Sequence, residues 1–260
     1  VCTALGRAFL IMENGIHIAL SAELLGTLWG IPITNALVTT WASMALLFGL
    51  VFLLRRKIKL IPGRIQTAVE WGLEVVANYV EEALGSPERA RRYFPLIATI
   101  FIFVLFLNEL AFLPIFGSVG FFHGHEFTPL LRPGTADLNT TLALSIIAFL
   151  TIEISGILTL GVLKYGSKFV NFKAGFIGVL VGIVELIGNL ARLISLSFRL
   201  FGNIFAGEVL ILVISSFAPL LAPLPFILFE MFVGFLQAII FALLTLAFIQ
   251  IAVAEPHEAH

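Results

Sequence analysis

Residues 195–210 read SLSFRLFGNIFAGEVL. The stretch has the apolar composition of a lipid-embedded helix, yet it carries Arg199, Asn203 and Glu208. It belongs to a run, 174–217, that proline never interrupts. As one helix that run measures ~66 Å at ~1.5 Å per residue, against a hydrocarbon core of ~30 Å. Such a helix must tilt steeply, lie partly along the membrane plane, or break at a glycine such as Gly182 or Gly188.

At a helical period of 3.6, Glu185, Asn189, Arg192, Ser195, Arg199 and Asn203 share one face of the run, and the rest is Leu, Ile, Val, Phe, Gly and Ala. Intramembrane ionisable groups face a partner, a bundle interior or water. A purely structural seam accounts for Arg192 and Glu185, with Gly202, Ala206 and Gly207 permitting close packing. Arg199 is harder to explain that way, because no acid lies three or four positions away on its own helix. Glu208, nine positions later, projects from the opposite side.

The rest of the chain sets this helix in a membrane. Of 260 residues, 60% are hydrophobic and 12% charged, with a mean hydropathy of +1.08. The net charge of -1 excludes the basic excess that nucleic-acid binding requires. The single cysteine, Cys2, excludes a disulfide framework within one chain. Residues 1–32 are expected to be a peripheral N-terminal segment, too poorly flanked to read as a cleavable signal. Spans are expected at 33–54, 94–113 and 139–163, an amphipathic cytoplasmic segment at 62–92, the long tilted helix at 174–217 and a last helix at 226–253. The sequence thus predicts an all-α membrane protein of about five embedded helices plus an amphipathic helix.

Basic residues orient it. Eight of the 15 Lys and Arg fall between 55 and 92, three more at 164, 168 and 173, and only Arg7 and Arg132 on the other side. The bias puts the N-terminus outside and the C-terminus inside. Glu208 and, on the last helix, Glu230 then lie in the outer half, Arg199 and Gln237 near mid-depth, and Glu185 in the inner half. Glu109 and Glu153 add acids on the second and third spans, each read as a packed side chain. The residues HGHE at 123–126 read as part of a solvated outer loop rather than a metal site. No G-x-x-x-x-G-K-[ST] occurs, which argues against nucleotide hydrolysis by this chain. A secondary transporter or ion channel is the alternative, but it predicts an inverted repeat that the sequence lacks.

The residues LISLSFRLFGNIFAGEVL (193–210) and FEMFVGFLQAIIFALLTLAFI (229–249), with ITNALVTTW, NELAFLP and TADLNTTLAL, resemble subunit a of the F-type ATP synthase, the membrane stator that conducts protons against a ring of c subunits. The resemblance implies two long tilted helices packed against that ring. It implies that Arg199 faces the ring carboxylates and keeps two half channels separate, with Asn203 and Gln237 as its polar neighbours and Arg192 and Ser195 on the ring-facing side. It makes Glu208 an uptake-channel acid, Glu185 an acid of the opposite channel, Asn108 a polar site on the second span, and Asp137 a residue near the outer mouth. In some members a histidine stands at the position of Glu230; here a second glutamate does, and two acids can share a proton. The implied partners are the c-subunit ring, the peripheral stalk b subunits, other ATP synthase subunits and lipid. No cofactor is implied, the chain is not an enzyme by itself, and the location is a bacterial plasma membrane.

Overall fold

The computed structural model describes residues 22, 24–28, 31–112, 120–123, 126–129, 132–169, 175–218 and 221–253. Most of the N-terminal segment, the centre of HGHE and the polar tail after residue 253 lie outside the described residues. A short antiparallel hairpin, β1 (Leu24–Leu28) and β2 (Ile31–Thr34), leads into α1 (Asn35–Arg56). Thr34 caps α1 by accepting from the Leu37 amide at 3.3 Å. Asn35, Thr39, Thr40 and Ser43 form the buried side of α1, whereas Phe48, Phe52 and Leu53 are exposed, as lipid-facing residues are.

Pro62 and Gly63 separate α1 from α2 (Arg64–Leu84), which ends at Gly85 in the left-handed region, φ 61°. A glycine stands there because a Cβ disfavours that conformation. The helix α3 (Pro87–Ala111) starts with proline at its first turn and Glu88 beside the N-terminus, both favourable there. It begins seven residues before the span expected at 94–113, because the polar RARRY is part of the same helix. A second hairpin follows, β3 (Gly120–His123) and β4 (Glu126–Pro129), then a 3-10 turn at Gly134–Ala136. Neither hairpin was legible as strand in the sequence.

The remaining helices are α4 (Leu138–Leu160), the short α5 (Val162–Phe169), α6 (Gly175–Phe217) and α7 (Pro223–Val253). Asp137 caps α4 by accepting from the Asn139 amide at 3.1 Å. Despite Gly182 and Gly188, α6 runs unbroken over 43 residues. Five helices are long and apolar enough to cross a membrane: α1, α3, α4, the part of α6 from Leu180 to Phe217, and α7. The chain is an all-α membrane protein.

The centre of the bundle is α7, which packs against α3, α4 and α6. Two apolar layers result. Ile100, Val104, Ala148, Leu196, Leu200, Ala238 and Phe241 form one. Val80, Tyr93, Ile97, Ile152, Leu246 and Ile249 dominate the other, toward the end of α7 where α2 packs.

Candidate functional site

The polar face of α6 opens outward. Ser195, Arg199 and Asn203 are exposed and Arg192 is half-buried, while Leu196, Leu200 and Ile204 on the adjoining face are buried against the bundle. The face borders a groove of ≈ 270 Å³ lined by Arg192, Ser195, Leu196 and Arg199 of α6 and by Leu244 and Phe248 of α7. The Arg192 guanidinium lies 5.0 Å over the Phe248 ring, a contact worth about 0.5–1 kcal/mol where exposed. Arg199 has no ion-pair partner among the described residues. A guanidinium so presented is available to an anion from another molecule.

Asn203 is tied to α7, its Nδ2 donating to Gln237 Oε1 at 2.9 Å. Gln237 itself is 3% exposed. Above it on α7, Glu230 is 5% exposed and its carboxyl lies directly over Gly207 of α6. Any Cβ at position 207 would overlap that carboxyl, so the absence of a side chain there is what lets Glu230 reach α6. The neighbouring Glu208 turns the other way and meets Arg132, with Nη2 to Oε2 at 3.6 Å. At that length the contact is charge–charge attraction rather than a hydrogen bond.

Arg132 is not in a solvated loop. Its backbone amide donates to Thr39 Oγ1 at 3.2 Å, and Gly134 packs so closely on α1 that a Cβ would stand 2.6 Å from Thr40 Oγ1. Residues 134–137 are all buried, and Thr141 Oγ1 meets Ser197 Oγ at 3.1 Å, joining α4 to α6. The end of the polar loop is therefore packed among α1, α3, α4 and α6, where it delivers a cation to Glu208. Sequence reasoning counted Arg132 only toward topology; its position within a buried Gly-Thr-Ala turn is a tertiary fact. Asp137 is committed to its cap and to Asn139 Nδ2, at 3.2 Å.

On α3, Asn108 is fully buried and donates through Nδ2 to the Gly234 carbonyl at 3.0 Å. Asn108 Oδ1, Glu208 Oε2, Glu230 Oε1 and Gln237 Nε2 are buried polar atoms without a hydrogen-bond partner among the described residues. Buried polar groups are ordinarily satisfied by protein or by water. Those of Asn108, Glu230 and Gln237 lie where α3, α6 and α7 meet, while Glu208 faces Arg132 on another side of α6; unsatisfied polar atoms of this kind suit hydration.

Glu185 lies near the Tyr165 phenol, on which its charge acts. It is half-exposed, with no hydrogen bond or ion pair among the described residues. The hydrogen bonds at this end of α6 centre on Glu153 of α4, which accepts from Tyr165 of α5 and from Asn189 of α6. Burial, and then the bond to Glu153, pushes the Tyr165 phenol well above its ordinary range. No three His, Cys, Asp or Glu side chains among the described residues come together as a metal site.

Known proteins are similar to this chain over most of its length. The family profile for the ATP synthase A chain matches residues 37–250. The chain is 38% identical over 226 residues to ATP synthase subunit a 3 of Pelobacter propionicus, covering 86% of this chain and 89% of that protein. It is 36% identical over 217 residues to ATP synthase subunit a 1 of Syntrophotalea carbinolica, covering 84% and 85%. To ATP synthase subunit a of Gloeobacter violaceus it is 36% identical over 226 residues, covering 87% and 86%. From Asn108 to Gln237, every residue of the polar interior falls inside the matched region, and the chain belongs to the ATP synthase A chain family.

Proposed function

We propose that this chain is the proton-conducting stator subunit of a bacterial F-type ATP synthase, in the plasma membrane, and that it is not itself catalytic. The observation that carries the reading is the presentation of Arg199: exposed on α6, without an ion-pair partner among the described residues, and beside a groove. The partner that meets it is a ring of c subunits bearing carboxylates, with the peripheral stalk b subunits and other subunits of the complex holding the stator in place.

In this reading the polar interior around Glu208, Glu230, Asn108 and Gln237 is the outer half channel, with Asp137 near its mouth. A proton enters there, neutralises a ring carboxylate, and lets it turn into lipid. After rotation the proton leaves on the inner side, by way of Glu185. Arg199 meets the resulting carboxylate between the two events. A guanidinium keeps its charge at physiological pH, so it favours the ionised ring carboxylate without exchanging a proton itself. Its charge also blocks direct passage between the two half channels. Each proton crossing carries ~2.3 kcal/mol per 100 mV of membrane potential, and a leak at Arg199 would dissipate it.

The test is Arg199→Ala in the intact synthase, reconstituted into vesicles under an imposed proton gradient. Gradient-driven ATP synthesis is expected to vanish while the complex still assembles. Synthesis at the wild-type rate would sink the reading.

A further inference from the structure

The cluster at the inner end of α6 is not absorbed by either half channel. Glu153 is half-buried on α4, and both of its oxygens are engaged. Tyr165 Oη donates to Oε2 at 2.9 Å and Asn189 Nδ2 donates to Oε1 at 3.2 Å. Hydrogen bonds to a carboxylate are among the stronger kinds. Tyr165 is 6% exposed although its helix has only eight residues, and its ring lies against Gly156, where any Cβ would overlap it. Behind the cluster is a cavity of ≈ 10 Å³ lined by Glu153, Asn189, Arg192 and apolar neighbours, room for about one water. Three helices thus converge on one carboxylate.

The need for such a device shows in how unevenly α6 is supported. Between residues 180 and 191 only Gly182 and Asn189 are buried. Val184, Leu186, Ile187 and Leu190 are 68%, 60%, 61% and 57% exposed. Farther along, Leu196, Leu200 and Ile204 are held in the bundle and Asn203 is bonded to Gln237. Apolar packing therefore holds α6 from Leu196 to Ile204 and leaves residues 180–191 almost free. The one buried side chain other than glycine in that free stretch is the asparagine that reaches Glu153.

We propose that Glu153, with Tyr165 and Asn189, is a positioning clamp that fixes the tilt and rotation of the cytoplasmic half of α6, and thereby holds Arg192 and Ser195 at the setting from which they face the ring. The inference rests on the stator reading for its consequence, but the clamp itself is a property of this chain. Glu153 acts through α6; it carries no proton. Tyr165→Phe removes the donor and keeps the ring on Gly156. Gly156→Ala leaves Glu153 untouched and displaces the ring. Glu153→Gln keeps the shape and removes the charge.

The experiment measures spin-label distance distributions in the intact synthase, made otherwise free of cysteine by Cys2→Ser and corresponding changes elsewhere. One label pair, at Ala191→Cys and Leu158→Cys, reads the inner half of α6 against α4; another, at Ala206→Cys and Ile146→Cys, reads the outer half. All three clamp variants are expected to broaden the inner distribution at least twofold, leave the outer one unchanged, and lower protons pumped per ATP hydrolysed several-fold. A merely structural role would broaden both pairs together or deplete the subunit from the membrane, and either result overturns the proposal. So does an inner distribution that stays narrow in all three variants, or one that broadens with pumping unchanged. An altered dependence on inner-side pH in Glu153→Gln, with both distributions narrow, would assign Glu153 a proton-carrying role instead. Arg199→Ala in the same preparation separates the readings: pumping insensitive to it means that the stator reading has failed, whatever the distances show.

Discussion

The contact between Gly207 and Glu230 offers a sharp perturbation. Gly207→Ala adds one methyl group at a position where a Cβ would overlap the Glu230 carboxyl, which is itself 5% exposed and has little room to retreat. Overpacking of this kind costs about 1–3 kcal/mol, which lowers the weight of the native Glu230 placement roughly 5- to 140-fold. If proton uptake needs Glu230 beside α6, ATP-driven pumping falls by a factor in that range. The assay is pumping by inverted vesicles, normalised to the amount of the subunit by immunoblot. Gly49→Ala on α1 serves as the control, because nothing lies within 4 Å of the added Cβ. Combining Gly207→Ala with Glu230→Asp, one methylene shorter, is expected to recover part of the loss. Wild-type pumping by Gly207→Ala, or an equal loss from Gly49→Ala, refutes the reasoning.

Two further outcomes follow from the contacts of Asp137 and Arg132. Asp137→Ala removes the acceptor of the Asn139 amide at 3.1 Å and is expected to cost about 1 kcal/mol, read as a lowered Tm of the purified complex, with Asp137→Ser retaining most of the stability. Arg132→Gln takes the cation from Glu208, whose side chain is 38% exposed, so the expected cost is about 1 kcal/mol, below that of breaking a fully buried pair. Adding Glu208→Gln to Arg132→Gln should cost less than the sum of the two, and strict additivity in that cycle would show that the pair is not coupled.

Along a single helix the sequence was readable, and between helices it was not. Hydropathy marks the five long helices because lipid demands uniform apolarity over a fixed length. A period of 3.6 put Ser195, Arg199 and Asn203 on one face, and the structure has all three exposed together. The same period grouped Asn189 with them, yet it is buried against α4, because it lies at the edge of the stripe where the helix meets the bundle. The closeness of Glu230 to Gly207 and the pairing of Arg132 with Glu208 join distant segments, and no pattern within either segment announces the other. The residues RPGTAD read as outer loop because they are polar and hold turn formers. In the structure small residues, Gly134 above all, let that turn enter the bundle.

How the polar interior is closed bears on coupling. Asn108, Glu208, Glu230 and Gln237 lie on three helices, and each helix contributes buried apolar residues to one layer: Val104 and Ile100 from α3, Leu200 and Leu196 from α6, Ala238 and Phe241 from α7. Ala148 of α4 completes the layer. Beside the layer lie the fully buried hydroxyls of Thr141, Ser145 and Ser197, the first and last of them in contact at 3.1 Å; in the proposed reading the apolar layer is what obliges a proton entering from outside to leave this chain before it passes inward. A carrier on a moving partner, as proposed above, meets that requirement, and Arg199 borders an open groove. In the proposed reading the floor is then as much a part of coupling as Arg199. Phe241, 2% exposed at the centre of the layer, tests it. Phe241→Ala opens a cavity at a cost of about 3–5 kcal/mol, enough to threaten folding, so Phe241→Leu is the companion with a smaller deletion. In vesicles whose ring is locked against rotation by a carboxyl-modifying reagent, both variants are expected to raise passive proton permeability, the alanine more than the leucine. Permeability equal to that of the locked wild type, in variants that assemble normally, would place the barrier elsewhere.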